Sequence, residues 1–384
     1  MLKNKIYKYF ASEIFKSFLT ILFALTAVAW TVRAVSFLDL IVENGHSIST
    51  YLLFSLYNIT NIVTKFIPLS FLLALVLSLL KFEKNSELII LWTNGLNKIK
   101  VANLFFLISL LILFLQLTFA VIITPSTLNE SRRLIKVSGF DSMSSIIKVN
   151  DFSDSFKNLT FYVEERDDSG LMKNIFIRDE GSIFENIVDG SIEEGENANT
   201  TIIAKTGIIQ NKKLILTDGL MQSQTNSKKL KNVSFTKTEF SLDQLTPRTI
   251  TKAKLQETST YSLYLCLFKK KDIKVLEKLH NCPAHDMDKD IISTLLRRVG
   301  MPIYIPLISL VCSFLLISKR KENKYFNKYK IFLISFLILL FAELLVRYSG
   351  FSKIHSLLYF LAPLLLMPLT YLILINKLNF ERKK

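Results

Sequence analysis

FEKNSELIILWTNG, residues 82–95, lies between two long apolar runs, and its reading decides that of the whole chain. Its middle, Leu88 to Trp92, is apolar almost all round, yet it is far shorter than the ~20 residues a helix needs to cross a bilayer. Asn85 or Ser86 suits the start of a helix, Glu87 the positive end of its first turn, and Asn94-Gly95 its end. These residues spell a short helix that cannot bury its own surface. What it packs against depends on the runs beside it.

Six stretches meet the length and polarity of a membrane span: about 17–42, 58–81, 101–123, 300–318, 331–348 and 354–376. They fall three and three, on either side of a polar segment, 125–298, rich in Ser, Thr, Asn and Asp. The expected fold class is therefore a membrane α-helical protein of six transmembrane helices with one inserted extramembrane domain. The expected organisation is 1–124, 125–298 and 299–384.

The chain carries a net charge of +16, which raises nucleic acid as a partner, but the distribution of the charge argues against it. Segment 125–298 holds 26 basic and 24 acidic residues, whereas the membrane part holds 22 basic and 8 acidic. Four of the basic residues lie in 1–17, four in 81–100, six in 319–330 and four in 377–384, and the connections at the other ends of the spans are nearly bare. Such asymmetry follows the positive-inside rule and places both termini and the 82–98 loop in the cytoplasm, with the large domain outside. The basic residues then meet membrane lipid headgroups. A signal peptide is the competing reading of the N-terminus, but its apolar stretch is too long for one.

Within 125–298, short alternating runs broken by turns predict antiparallel strands: 159–165, 174–179, 200–207, 208–219 with Asn211-Lys212 at its tip, and 232–243. Alternation implies one buried face and one wet face, as in a sandwich or half of a jelly roll. From 255 to 298 the pattern turns helical. Cys266 and Cys282 lie where a disulfide is chemically allowed. His280, Cys282 and His285 are too sparse a set to make a metal site the expectation. Histidine is scarce and G-x-S-x-G is absent, so a scaffold that receives a partner or an amphipathic ligand fits the domain better than an enzyme. No cofactor is expected.

Few polar residues interrupt the spans. Arg33 faces either a partner or the outer headgroups, and Lys65, just before Pro68, snorkels towards those headgroups; both are candidates for lipid contact. Glu343 and Arg347 are four apart and suited to pair on one helix. No G-x-x-x-x-G-K-[ST] occurs, so any ATP-driven motor is a separate subunit. The 82–95 helix would then plug into that motor. On a helical wheel Glu87, Leu91 and Asn94 share one face, and Leu88 and Trp92 another, so one face suits the spans and the other the partner. The alternative is an interfacial helix lying on lipid.

Several strings, in order, resemble the LptF/LptG permease family, LptF most of all. They are VSFLDLIVENGHS (35–47), IPLSFLLALVLSL (67–79), NSELIILWTNG (85–95), FYVEERDDSGLMKNIFIRDEG (161–181), LILTDG (214–219) and TLLRRVGMPI (294–303). Where the family usually has an acidic residue and then His-Arg-Arg, Leu295-Leu296 precede Arg297 here. The resemblance implies the permease subunit of an ABC-type lipopolysaccharide exporter in a bacterial inner membrane. That subunit pairs with an LptG-like subunit, an LptB-like ATPase dimer drives the pair, and LptC-like and LptA-like proteins receive the lipid from a periplasmic jelly roll. It also implies a coupling helix at about 84–95, its glutamate at Glu87 and closing glycine at Gly95, and a lipid-phosphate contact at Arg33. Two other functions, a mechanical ABC permease and a secondary transporter, fit the pattern of spans and midplane residues less well.

Overall fold

The computed structural model describes residues 5–42, 47–141, 149–156, 158–167, 170–180, 199–210, 213–224, 230–241, 254–268, 288–317 and 324–383. The chain divides into two compact units, one of Met1–Val32, Asn58–Asn129 and Lys254–Lys384, the other of Arg33–Tyr57 and Glu130–Ala253.

Six helices in the described residues are long and apolar enough to cross a membrane: Lys5–Ile41, Ile48–Lys84, Lys98–Ile135, Asp288–Leu316, Lys328–Tyr348 and Lys353–Glu381. In helical order α1 is Lys5–Ser36, α2 Asp39–Val42, α3 Ile48–Lys84, α4 Glu87–Thr93, α5 Lys98–Thr118 and α6 Thr124–Asp141. Later come α7 (Thr260–Phe268), α8 (Asp288–Cys312), α9 (Lys324–Tyr348) and α10 (Lys353–Lys383). Helices close all their backbone bonds internally, which is the reason such runs take this form in lipid. Span four is the hub: 72% of its most apolar window is buried, against 11% for span one. It packs on α5, α9 and α10. Gly300 lets the Tyr359 ring lie against α8, where a Cβ would stand 2.5 Å from the ring, and Tyr304 Oη donates to the Tyr359 carbonyl at 2.9 Å. Phe10 and Phe82 meet edge to face, centroids 4.5 Å apart, and bind α1 to α3.

Span three is not a plain α-helix. A π-turn, Phe119–Ile123, joins α5 to α6. The wider turn lets the Val121 carbonyl accept a hydrogen bond from Thr260 Oγ1 at 2.9 Å. Thr64 and Thr124 share a hydroxyl bond of 2.7 Å beside it, tying α3 to the same span.

In the segment before α7, a turn at 254–258 is held by Arg298 of α8, which is 6% exposed. Its guanidinium donates to Thr260 Oγ1 at 2.7 Å and to the carbonyls of Leu255, Gln256 and Thr258 at 3.0, 3.2 and 3.0 Å. Ser259 caps α7, accepting from the Ser262 N–H at 3.0 Å. Cys266, on α7, is disulfide-bonded, and its partner lies outside the described residues, as do His280, Cys282, His285 and the helical run expected at 273–280.

Among its described residues the second unit carries six antiparallel strands in sequential order, in an open sheet: β1 (Ser153–Phe156), β2 (Leu159–Arg166), β3 (Met172–Asp179), β4 (Asn199–Gln210), β5 (Lys213–Gln224) and β6 (Leu230–Ser241). This open sheet suits a jelly-roll-like domain. One face is apolar and buried, built of Leu159, Phe161, Ile177, Ile202, Leu216, Met221 and Phe240 among others. The expected break at Gly207 is not there: Gly207 and Gly219 lie inside β4 and β5. A Cβ at Gly219 would sit 2.4 Å from the Phe235 ring, so this glycine is a packing requirement, not a turn.

The alternation also changes phase. Cross-strand pairing skips one row, Glu164, Asn174, Lys205, Asp218 and Thr236, in β2 to β6. Along that row Asn174 and Asp218 take left-handed backbone angles, φ 50° and 51°. In β4 the buried residues are Thr200, Ile202 and Ala204 before the row and Gly207 after it; in β5 Leu214 and Leu216 give way to Met221 and Ser223. Each strand thus carries one extra residue at the same level, which creases the sheet and keeps the same face inward on both sides of the fold. The crease is polar, with Asn174 Nδ2 donating to Glu164 Oε2 at 2.6 Å. β6 departs from its expected alternation, since only Phe240 is buried along it. Among the described residues it pairs with β5 alone, and no strand lies on its other edge.

Candidate functional site

The short helix read from the opening stretch is α4. Its end follows the expectation closely: the Leu96 N–H donates to the Leu91 carbonyl at 3.0 Å and the Gly95 N–H to that of Trp92 at 3.1 Å, with Gly95 at φ 79°. This is a Schellman closure, which glycine permits without strain. The start departs from it. Ser86 stands in the left-handed region at φ 60° and makes no side-chain cap, and Asn85 Nδ2 donates instead to Glu87 Oε1 at 3.1 Å. The chain turns too sharply out of α3 for either residue to cap the next helix. The Glu87 carboxylate lies beside the Tyr9 hydroxyl.

Tertiary packing sets the facing of α4. Leu88 is 7% exposed within the main core, and Leu91 and Trp92 pack against that core. Leu91 therefore sides with Leu88 and Trp92 and not with Asn94, which is exposed. Ile89 and Ile90, which the sequence reading passed over, stand outward, each 56% exposed. Their signal was present: five apolar residues in a row cannot all face one way on a helix.

Ion pairs fasten this end of the bundle. Glu13 of α1 is bonded to Lys81 of α3, Glu83 of α3 meets Lys328 of α9 at 2.7 Å, and Lys98 of α5 meets Glu381 of α10 at 3.0 Å. The Lys98 ammonium also lies 5.5 Å from the Trp92 ring. Through Trp92, α4 thus touches the Lys98–Glu381 pair that joins α5 to α10.

A cavity of about 780 Å³ lies between α3, the π-turn, α8 and α9. Lys65, Arg297, Arg298 and Arg347 line it, against the acidic Asp290 and Glu343. Glu343 is not paired with Arg347 as their spacing suggests; Arg297 Nη2 reaches it at 2.7 Å from the neighbouring helix. A crossing helix offers a straighter approach than two flexible side chains on one turn, and Arg347 is left exposed with no ion-pair partner among the described residues. Gln116 also lines the cavity, 3% exposed, and its Oε1 has no hydrogen-bond partner. Lys65 is exposed on the cavity wall. Arg33 is not brought to it: it lies exposed near the end of α1, in the other compact unit, and its side chain has no ion-pair partner among the described residues.

Six membrane-length helices around one core, with a cavity of mixed apolar and charged lining between them and a short helix offered between two of them, are the build of a multi-pass membrane permease. The chain belongs to a definite group of these: the family model described as lipopolysaccharide export system permease LptF/LptG matches residues 8–377. The match is to the joint family and does not separate LptF from LptG. None of the curated proteins compared with the chain matches it.

Proposed function

We propose that the chain is the membrane subunit of an ABC-type exporter in the bacterial inner membrane, drawing lipopolysaccharide from the outer leaflet with energy from a separate ATPase. The observation that carries this reading is α4, which holds two isoleucines outward beyond the packed core. Two adjacent exposed isoleucines at a helix of seven residues suit a hydrophobic socket in a partner. An LptB-like ATPase dimer is that partner. Its closure pushes α4, and the Glu13–Lys81 and Glu83–Lys328 pairs carry the push to spans one and five. Within this mechanism Glu87, Leu91, Trp92, Asn94 and Gly95 shape and seat the helix, while Ile89 and Ile90 make the contact.

Orientation follows from charge, with α4 and both termini cytoplasmic and the sheet periplasmic. The disulfide at Cys266, in the segment that returns from the sheet, supports an oxidising surrounding for that side. Span one buries little of itself within the chain, which leaves room for an LptG-like subunit. Arg33 and Lys65 then meet phosphates of the moving lipid. The buried apolar face of the sheet shields acyl chains from water. Its open β6 edge receives the next jelly roll, that of an LptC-like or LptA-like protein, by strand addition.

Affinity purification in mild detergent tests the reading. A P-loop ATPase and a phosphate-bearing glycolipid are expected to co-elute with the chain, and elution without any ATPase would refute it.

A further inference from the structure

We infer that the cavity between α3, the π-turn, α8 and α9 binds the headgroup of a lipid that carries a phosphate beside a hydrogen-bond donor, with Gln116 reading the donor. The inference deepens the export reading at Lys65, which that reading sets against phosphates of the moving lipid, and the lining residues named here all belong to this chain. Three observations converge on it. The first is Gln116, whose amide oxygen is buried and without a partner although an unpaired acceptor in such surroundings is costly. A ligand N–H or O–H supplies what the protein withholds.

The second is charge. Of the four basic side chains in the lining, Arg298 is committed to the 254–260 turn and Arg297 is shared with Glu343. Arg347 projects its fork with no ion-pair partner among the described residues, and Lys65 lies across the cavity on α3. Guanidinium and ammonium groups facing one space at membrane depth match a phosphate. The third is mixed lining: Leu69, Leu339 and Leu344 share the walls with these cations. A free anion would have no use for them, whereas a headgroup with acyl chains would. The volume of about 780 Å³ is that of a small-molecule site.

Native mass spectrometry of the purified full chain in detergent decides the matter, with four probes. Phosphatidylethanolamine is expected to bind about tenfold more tightly than phosphatidylcholine, one hydrogen bond's worth of preference. N,N-dimethyl-phosphatidylethanolamine, nearly as bulky as the choline lipid but with one N–H left, is expected to bind like phosphatidylethanolamine. Inorganic phosphate should not displace the lipid at comparable concentration. Gln116→Met should abolish the preference and keep the binding. Arg347→Ala, at an exposed position that leaves the fold alone, should weaken both lipids about tenfold. Equal affinity of the unaltered protein for the ethanolamine and choline lipids would overturn the role of Gln116. Displacement by phosphate, or binding indifferent to Arg347→Ala, would overturn the site.

Discussion

Replacing Arg298 by methionine is expected to be the most destabilising single change in the helical unit. The methionine fills much of the same space, but the side chain it replaces donates to one hydroxyl and three carbonyls from an almost fully buried position. Methionine donates to none of these acceptors, and where the acceptor is buried, as at Thr258, an unmet hydrogen bond costs about 1–3 kcal/mol. Lysine is no remedy, since a single ammonium cannot span a fan of acceptors that a planar guanidinium reaches at once. Thermal denaturation of the detergent-purified protein should show a clear drop in midpoint for Arg298→Met and an intermediate one for Arg298→Lys. Arg297, its half-buried neighbour with a single carboxylate partner, should tolerate lysine with a change of about 1 kcal/mol or less. A methionine variant as stable as the parent would mean that the 254–260 turn holds without its arginine.

The double change Ile89→Asp and Ile90→Asp is expected to abolish capture of the motor without unfolding the chain. Both side chains are more than half exposed, so the bundle loses little packing when they become polar. At an interface, two apolar anchors replaced by carboxylates must each be desolvated against a surface that offers them no partner, at a cost of about 2 kcal/mol or more apiece. Co-purification of the ATPase should fall by more than about thirtyfold. Leu88→Asp, one residue away, should instead damage the fold, because Leu88 belongs to the core. Undiminished ATPase recovery with the double variant would place the docking surface elsewhere.

The six spans were legible because lipid allows an apolar run of that length only one backbone solution. The end of α4 was legible too, since Asn94-Gly95 is a local signal and Gly95 takes the left-handed angle it announces. The facing of α4 was not, because residues 88–92 are all apolar and only the neighbouring spans decide which of them turn inward. The same holds for Glu343: spacing points to Arg347, whereas the true partner, Arg297, lies 46 residues away on another helix. In the sheet, alternation located the strands, but not the crease. Asn174 and Asp218 are ordinary in a strand-breaking sense, and nothing local says that neighbouring strands gain their extra residue at one level. Gln116 left a faint mark, a lone amide in LILFLQLTFA at 111–120, and gains meaning only when span four and span five close a cavity around it.

Everything proposed for α4 and the sheet requires them to stand on opposite sides of the membrane. Thr93→Cys on α4 and Lys231→Cys on β6 occupy exposed positions, so a membrane-impermeant thiol reagent applied to intact spheroplasts reads their sides directly. Position 231 should label at once and position 93 only after permeabilisation. Labelling of both before permeabilisation, or of position 93 alone, would contradict the account.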